Sequence, residues 1–212
     1  MSVVTFTPAL LAEACSQLSC RVKAGGFTPS LLIGIQHGGA EVARRMRNDF
    51  PEAAYCEVRL SRPGTRQKSQ GLAHRLLQHL PLWMCNTLRI VESRINEWRS
   101  KGKDPVRIGT IRLPQDITST LSNPSNFSNP SNSSNPQTPP LVLLVDDAID
   151  TGATIQQARL QLLEQFPGIT LRVAVITVTI PQPICDADFC LYHNRTLCRF
   201  PWSNDYRESP HY

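Results

Sequence analysis

The sequence predicts an α/β fold with an open, mainly parallel sheet flanked by helices. Two segments carry this prediction, Leu31–Ile35 and residues 141–145, because each is a short apolar run typical of a strand buried on both faces. Each run leads through a turn of small residues into apolar residues at helical spacing, which is the order expected in a parallel sheet. A chain of 212 residues is large enough for one well-packed domain with additions, so we expect a single domain over residues 1–212.

Acidic side chains follow the second of these strands directly. Asp146 and Asp147 come straight after the apolar run, and Asp150 follows them. The next four residues, Thr-Gly-Ala-Thr at 151–154, form a small-residue turn before a helix whose apolar positions begin at Ile155. The acids and hydroxyls therefore lie where a parallel strand meets a helix. Open α/β sheets bind their ligands at this edge.

The chemistry of this turn indicates a phosphate ligand. Gly152 permits a tight backbone with converging N–H groups, and the start of the helix adds a partial positive charge. Thr151 and Thr154 add hydroxyl groups, so the turn can hold a phosphate monoester. Asp146 and Asp147 would repel a phosphate, but each carboxylate accepts strong hydrogen bonds from neutral hydroxyls. A phosphate cradle beside a hydroxyl-binding acid pair describes a ribose 5-phosphate.

Residues 141–154 resemble the phosphoribosyl-pyrophosphate (PRPP) motif of the type I phosphoribosyltransferases. The resemblance implies that Asp146 and Asp147 bind the ribose 2- and 3-hydroxyls. It also implies that the 5-phosphate is surrounded by Asp150, Thr151, Gly152, Ala153 and Thr154. An acid pair that binds a metal, or that only caps the helix, is the alternative interpretation. The family also has a small C-terminal hood over the base, which we expect at residues 181–212.

A second anion loop is expected after the first strand. Leu31–Ile35 is followed by Gln-His-Gly-Gly at 36–39 and by a helical run at 40–50. A Gly-Gly turn that opens a helix exposes backbone N–H groups to an anion. In the family this is the pyrophosphate loop, which implies that His37, Gly38 and Gly39 bind pyrophosphate. Family members commonly have Arg where His37 stands, and a histidine is mostly neutral at pH 7.

The net charge of +5 is concentrated in one part of the chain, since no Asp or Glu occurs between residues 58 and 91. The densest basic stretch, 61–71, is typical of a mobile loop. Such a loop suits a polyphosphate that departs as a leaving group. By resemblance it is the flexible catalytic loop, with Arg62, Arg66 and Lys68. A solvated basic surface and a nucleic-acid contact are the alternatives, and the lack of interleaved aromatic residues disfavours nucleic acid.

The base-binding residues are expected by resemblance to the 6-oxopurine members of the family, with the xanthine–guanine enzymes closest in pattern. In those members an acid at the position of Asp150 faces the purine N7 as a proton-transfer group. Phe189, Phe200 and Trp202 match aromatic residues of their base-binding hood. Purine members also carry a Lys shortly after the next strand, whereas no Lys follows Lys103 in this chain. The resemblance therefore leaves the base unidentified.

The resemblance implies a transferase that moves the ribose 5-phosphate of PRPP onto a nitrogenous base and releases pyrophosphate. Its catalytic residues would be Asp146, Asp147 and Asp150, and its partners PRPP and a nucleobase or similar acceptor. Mg²⁺ is the expected cofactor, carried mainly by PRPP oxygens rather than by a protein metal site. Two alternatives stay open. One is a regulator that senses PRPP or nucleotides without catalysis, and the other is a metal-dependent phosphatase that uses the three acids.

Two stretches are expected as additions to the fold. Residues 118–140 are rich in Ser, Asn and Pro and predict a disordered insertion, because such a composition cannot bury a core. Residues 81–102 predict a helix with apolar side chains every three or four positions. That stripe is interpreted either as core packing or as the seam of a homodimer; its members are Met84, Leu88, Val91, Ile95 and Trp98.

Composition favours a cytoplasmic location. The longest apolar run is far shorter than a membrane span, and the N-terminus lacks the pattern of a secretory signal. The seven cysteines are odd in number and contain no Cys-x-x-Cys pair, which argues for reduced thiols rather than a disulfide framework. We therefore expect no membrane partner.

Overall fold

The computed structural model describes residues 2–60, 81, 84–88, 90–91, 109–122, 139–193 and 196–207. In chain order its strands are β1 (Ser2–Thr5), β2 (Leu31–Ile35), β3 (Ala54–Val58), β4 (Leu141–Ile149), β5 (Thr170–Val178), β6 (Phe189–Tyr192) and β7 (Thr196–Arg199). Its helices are α1 (Pro8–Ala24), α2 (Gly38–Met46), α3 (Gln115–Ser122) and α4 (Ala153–Gln165), with a short 3₁₀ turn at Arg47–Asp49.

The described strands form a five-stranded sheet in the order β3-β2-β4-β5-β6, with every neighbouring pair parallel. The prediction of an open, mainly parallel α/β sheet is therefore confirmed. Strands β2 and β4 are direct neighbours, with Leu31 opposite Val142. Because the two strands run the same way, the loops that follow them lie at the same edge of the sheet.

The central strand β4 is covered on both faces, as its apolar run predicted. Val142 and Leu144 belong to the core between the sheet and helices α3 and α4. Leu143 and Val145 belong to the core on the other face, beneath α1 and α2. All four side chains are fully buried. Alternate residues of one strand thus fill two cores, which fixes the strand's register and with it the position of the residues that follow.

The end of β4 and the starts of α2 and α4 differ from the positions expected from the sequence. Strand β4 continues to Ile149, because β5 extends alongside it and pairs Asp146 with Val175 and Ile149 with Val178. The acid pair therefore lies inside the strand rather than after it. Helix α2 begins at the first glycine of its loop, and α4 begins at Ala153, so both anion loops open directly into helices.

The predicted disordered insertion begins too early. Residues 118–122 belong to α3, because Ile117 and Leu121 lie four residues apart and are both buried against the core. The expectation of disorder is wrong for those residues, and it is also wrong for Pro140, which is buried before β4. Residues 123–138 lie outside the described part of the chain.

The predicted helix at 81–102 is described at 84–88 and 90–91, and those residues are helical. Its buried side differs from the predicted stripe, since Cys85 is 2% exposed while Leu88 and Val91 are 49% and 46% exposed. The core-packing interpretation is therefore wrong for these two residues. Ile95 and Trp98 lie outside the described residues, and the homodimer seam stays a prediction.

The C-terminal part of the chain is joined to both the main sheet and the N-terminus. Strand β6 extends the main sheet beside β5, whereas β7 pairs with β1 in a separate two-stranded parallel sheet. Part of the segment 181–212, where a hood is expected, thus pairs with the first residues of the chain. None of the described helices is both long and apolar enough to cross a membrane.

Candidate functional site

The Gly-Gly loop packs directly on the acid pair. A Cβ atom added to Gly38 would overlap the carboxylate of Asp147. One added to Gly39 would lie 2.6 Å from the Cα atom of Asp146. No residue with a side chain fits at either position without moving the acids or the strand. The structure therefore brings together the start of α2 and the acid pair, which are about a hundred residues apart in sequence.

Asp146 and Asp147 form a closely coupled pair. The backbone N–H of Asp147 donates a hydrogen bond to Oδ1 of Asp146 at 2.9 Å. Burial raises the pKa of Asp146 well above its usual range, and repulsion from Asp147 adds to the rise. Burial also raises the pKa of Asp147, although hydrogen bonds to its carboxylate oppose the shift. A cation or a set of hydroxyl donors beside the pair would therefore stabilise its ionised form.

Trp202 contacts the acid pair directly. Its indole Nε1–H donates a hydrogen bond to Oδ2 of Asp147 at 2.8 Å. The indole ring is stacked on Phe200, with the ring centroids 4.9 Å apart and an angle of 6° between the planes. Sequence analysis placed Trp202 in the base-binding hood but gave no sign that it reaches the acids, because this contact depends on how the hood folds back over β4.

Two of the predicted base-binding residues have other positions. Phe200 is 3% exposed and lies between the rings of Phe6 and Trp202, so both of its faces are covered by protein. Phe189 packs on Phe27 and against Gly25 at the end of α1, away from the acid pair. Their expected contact with a base is therefore corrected. Phe200 supports Trp202, and Phe189 anchors β6 to α1.

Asp150 lies at the end of β4 and is exposed. Its Oδ1 accepts a hydrogen bond from the hydroxyl of Thr179 at 2.7 Å. Thr179 is buried and follows β5, in the region where the resemblance to purine enzymes predicts a Lys. No local sequence pattern marks Thr179 as a partner of the acid. Its partnership with Asp150 arises because β4 and β5 end side by side.

The turn at 151–154 is held by the segment after β5. Gly152 has a φ of +82°, and a Cβ atom there would lie 2.5 Å from the carbonyl oxygen of Cys185. The backbone N–H of Ile184 donates to the carbonyl of Thr151 at 2.8 Å. Ala153 and Thr154 are the first residues of α4, where backbone N–H groups have no partner within the helix. The Ala153 N–H donates a long hydrogen bond of 3.4 Å to the Thr151 hydroxyl oxygen. The turn thus has the fixed shape and the helix-start donors that an anion site needs.

The Gly-Gly loop is held from the other side by polar side chains that sequence analysis missed. The side-chain amide of Gln36 donates to Glu57 Oε2 at 3.1 Å, and its oxygen accepts from Arg59 Nε at 2.8 Å. The Gln36–His37 peptide is cis, and His37 is exposed. Arg59 is also exposed and stands just after β3. It therefore places a permanent positive charge next to the loop that contains His37.

Glu57 connects the side chain of Gln36 to those of Arg44 in α2 and Tyr55 in β3. Its Oε1 accepts from Arg44 Nη2 at 2.8 Å and from the hydroxyl of Tyr55 at 2.7 Å. These bonds and the one from Gln36 lower the pKa of Glu57 to about 2, with Arg44 making the largest contribution. Arg62, Arg66 and Lys68 of the expected flexible loop lie outside the described residues.

The fold is that of the type I phosphoribosyltransferases. The structure matches the purine phosphoribosyltransferase from Pyrococcus horikoshii Ot3 with a TM-score of 0.54 and 15% sequence identity. The match covers 100% of this chain and 99% of that one. It matches the xanthine-guanine-hypoxanthine phosphoribosyltransferase of Helicobacter pylori with a TM-score of 0.57 and 13% identity, over 95% of this chain and 94% of that one.

A third solved structure similar to this chain is a hypothetical protein from Neisseria gonorrhoeae with bound ppGpp. Its TM-score is 0.55 at 15% identity, over 95% of this chain and 89% of that one. No protein-family model and no curated protein sequence matches the chain. At these identities the likeness shows a shared fold, and the fold implied by the resemblance of residues 141–154 is confirmed.

Proposed function

We propose that this protein transfers the ribose 5-phosphate of PRPP to a nitrogenous base and releases pyrophosphate. The observation that carries the proposal is the contact between the Gly-Gly loop and the acid pair. Gly38 and Gly39 leave room for nothing larger than a hydrogen atom beside Asp147 and Asp146. The phosphate turn at 151–154 continues the strand that bears the acids. One edge of the sheet therefore carries the Gly-Gly loop, the phosphate turn and, between them, two carboxylates that can accept hydrogen bonds from hydroxyl groups.

The ribose would lie over β4 in this arrangement. Its two hydroxyls donate to Asp146 and Asp147, and its 5-phosphate accepts from the backbone N–H groups of 151–154. The bond from C1 to pyrophosphate breaks with positive charge developing on the ring. Burial raises the pKa of both acids, and repulsion from Asp147 adds to the rise at Asp146. A nearby positive charge relieves both effects, so the ionised acids favour the charge that develops on the ring.

The leaving group would be received at the Gly-Gly loop. Gly38 and Gly39 begin α2, so their N–H groups and the helix N-terminus face incoming negative charge. Arg59, held by Gln36, supplies the permanent positive charge that His37 lacks.

Mg²⁺ is proposed to be carried by PRPP itself. The described residues contain no group of three or more His, Cys, Asp or Glu side chains that could hold a metal ion. The fit rests instead on the acid pair, because a cation nearby would offset the burial and repulsion that raise the pKa of Asp146. When bound, Mg²⁺ would neutralise negative charge on the pyrophosphate.

The acceptor is proposed to be a nucleobase, deprotonated with help from Asp150. Thr179 donates to Oδ1 of Asp150, which leaves Oδ2 to accept a proton from a base nitrogen. The purine phosphoribosyltransferases with the same fold suggest a purine acceptor. The buried Thr179 hydroxyl occupies the region of the purine-reading Lys, so contacts to the base carbonyl would differ from theirs.

The test is release of pyrophosphate from PRPP and Mg²⁺ with a panel of purines and pyrimidines. Turnover with any base supports the proposal. Asp150→Asn should then lower turnover by about 10²–10⁴ while PRPP affinity changes little. An Asn variant with normal turnover would show that Asp150 only shapes the phosphate turn, since the Asn side-chain oxygen can still accept the hydrogen bond from Thr179.

The second candidate function is a regulator that binds PRPP or a nucleotide without catalysis. Two observations favour it. His37 stands where members of the resembled family commonly have Arg in the pyrophosphate loop, and a protein of the same fold has been solved with ppGpp bound. Calorimetry with PRPP and guanine nucleotides separates the two candidates. Tight binding without pyrophosphate release from any base supports the regulator and rejects the transferase.

A further inference from the structure

The aromatic side chains of the hood form a stack that ends at the acid pair. Phe6 in the N-terminal segment and Phe200 after β7 are stacked, with centroids 5.4 Å apart and planes 7° from parallel. Trp202 continues the stack on the far side of Phe200 at 4.9 Å. From there its indole N–H reaches Oδ2 of Asp147 at 2.8 Å. The three stacked rings therefore connect the N-terminal segment to Asp147, one of the two acids proposed to bind the ribose.

The hood holds the indole in place independently of the acid. Ser203 closes the turn around Trp202, because its N–H donates to the carbonyl of Phe200 at 2.9 Å and its hydroxyl accepts from the Phe200 N–H at 3.0 Å. Either side of this turn, Arg199 and Asp205 form an ion pair of 3.0 Å whose side chains are 4% and 6% exposed. The turn is thus anchored by buried contacts, and its indole is a fixed hydrogen-bond donor rather than a side chain that moves over the site.

A fixed donor on one oxygen determines what the other oxygen of Asp147 can do. A carboxylate oxygen can accept more than one hydrogen bond, and the indole takes one of the acceptor sites of Oδ2. Gly38 packs against the same carboxylate and limits its rotation. The orientation fixed in this way sets where Oδ1, which the indole does not contact, can meet a hydroxyl proton. Stacking on a base would require only a face of the Trp202 ring and would not require its N–H to point at Asp147.

We propose that Trp202 is a positioning residue for ribose recognition, whose indole N–H fixes Asp147 so that one carboxylate oxygen is presented to a ribose hydroxyl. This inference rests on the proposed function, since PRPP is the ribose ligand. It adds that the hood completes the ribose site as well as covering the base. The ribose site then depends on the folding of the first and last strands of the chain.

The test compares PRPP affinity of the unmodified protein and Trp202→Phe by calorimetry from about pH 6 to about pH 9. Phenylalanine keeps a ring to stack on Phe200 but has no N–H. We expect PRPP to bind about 10- to 100-fold more weakly to the variant near neutral pH, which is the range for losing a hydrogen bond to a charged group. The difference in PRPP affinity between the two proteins should shrink as the pH rises. The indole N–H lowers the pKa of Asp147, so in the variant Asp147 ionises only at a higher pH.

Other titrating groups face Asp147 and must be common to both proteins. They are Asp146 in β4 and Asp150 just after it. The ratio of the two affinities at each pH removes their contribution and that of PRPP. Phe6→Leu is the matched control, since it shortens the aromatic stack without touching the indole N–H. The ratio of the PRPP affinity of Phe6→Leu to that of the unmodified protein should be independent of pH.

A third comparison isolates the hydrogen bond. In an Asp147→Ala background, Trp202→Phe should cause no further loss of PRPP affinity, because the acceptor that the indole positions is already gone. Equal PRPP affinity of Trp202→Phe and the unmodified protein at every pH would overturn this inference and leave the proposed function standing. A loss that is the same at every pH would show a structural role only. An unmodified protein that does not bind PRPP would overturn both.

Discussion

The two glycine loops at the carboxyl edge of the sheet require glycine for different physical reasons. In the phosphate turn, Gly152 has a left-handed backbone and packs against the backbone of Cys185. In the Gly-Gly loop, Gly38 and Gly39 begin an ordinary helix, and the space for a side chain is taken by the acid pair. The first loop is constrained by the fold, and the second by the functional site. A substitution should therefore damage stability at one loop and binding at the other.

The largest expected effect on stability is that of Gly152→Ala. An alanine there combines a positive φ with a 2.5 Å approach to the Cys185 carbonyl oxygen, so we expect a loss of about 2–4 kcal/mol in the free energy of unfolding. Urea denaturation measures it. Two controls separate the causes. Gly26→Ala has a positive φ but open space and should cost about 1 kcal/mol, whereas Gly168→Ala has open space and no positive φ and should cost almost nothing.

Gly38→Ala should act mainly on binding. The added methyl group displaces the carboxylate of Asp147, so we expect PRPP affinity to fall by about 1.5–3 kcal/mol, the value of a hydrogen bond to a charged group. Calorimetry measures this loss. The double variant Gly38→Ala, Asp147→Ala relieves the overlap and should regain stability without regaining PRPP affinity. Unchanged affinity in the single variant would show that this loop and its acid do not contact the ligand.

Asp146→Asn should raise stability at neutral pH while lowering PRPP affinity. Burial raises the folded-state pKa of Asp146 above its unfolded value, so ionisation above that pKa destabilises the fold. Removing the charge should increase Tm by about 2–4 °C near pH 7, which corresponds to about 1 kcal/mol. The gain should vanish as the pH falls through the folded-state pKa towards the ordinary aspartate value. A Tm gain that is equal at low and neutral pH would contradict this origin.

The smallest effect is expected for Glu57→Gln, which weakens the side-chain support of the Gly-Gly loop. The pKa of Glu57 is lowered to about 2, so its stabilising contribution is present above the ordinary glutamate pKa and is lost as the pH falls towards 2. Because Arg44 is largely exposed, the expected loss in the free energy of unfolding is only about 0.5–1 kcal/mol. Thermal unfolding at pH 7 and pH 3 should show a smaller difference between the two proteins at pH 3.

The sequence was sufficient to predict the features that depend on neighbouring residues. The apolar runs of β2 and β4, the glycine turns and the helices after them are local patterns with a direct physical meaning. The shared strand–turn–helix pattern of β2 and β4 indicated that both anion loops lie at one edge of a parallel sheet, whereas the direct pairing of the two strands was not predicted. The same pattern made Asp146 and Asp147 recognisable as neighbours of an anion loop.

The features that sequence analysis missed depend on distant parts of the chain. The indole of Trp202 reaches Asp147 across 55 positions, and the hydroxyl of Thr179 reaches Asp150 across 29. Phe189 was placed by its similarity to a hood residue, but the position of α1 decides what it contacts. Side-chain direction in a hood that combines the two ends of the chain is a tertiary property, and no local periodicity encodes it.

The central claim is that the acid pair of β4 binds the ribose of PRPP, and one titration tests it most directly. Calorimetry should show that the unmodified protein binds PRPP with Mg²⁺ and that the double variant Asp146→Asn, Asp147→Asn binds it about 2–4 kcal/mol more weakly. Inorganic phosphate, which has no ribose, should bind both proteins alike at the turn that contains Gly152. Equal PRPP affinity of the two proteins would remove the acids from the ribose and contradict the account.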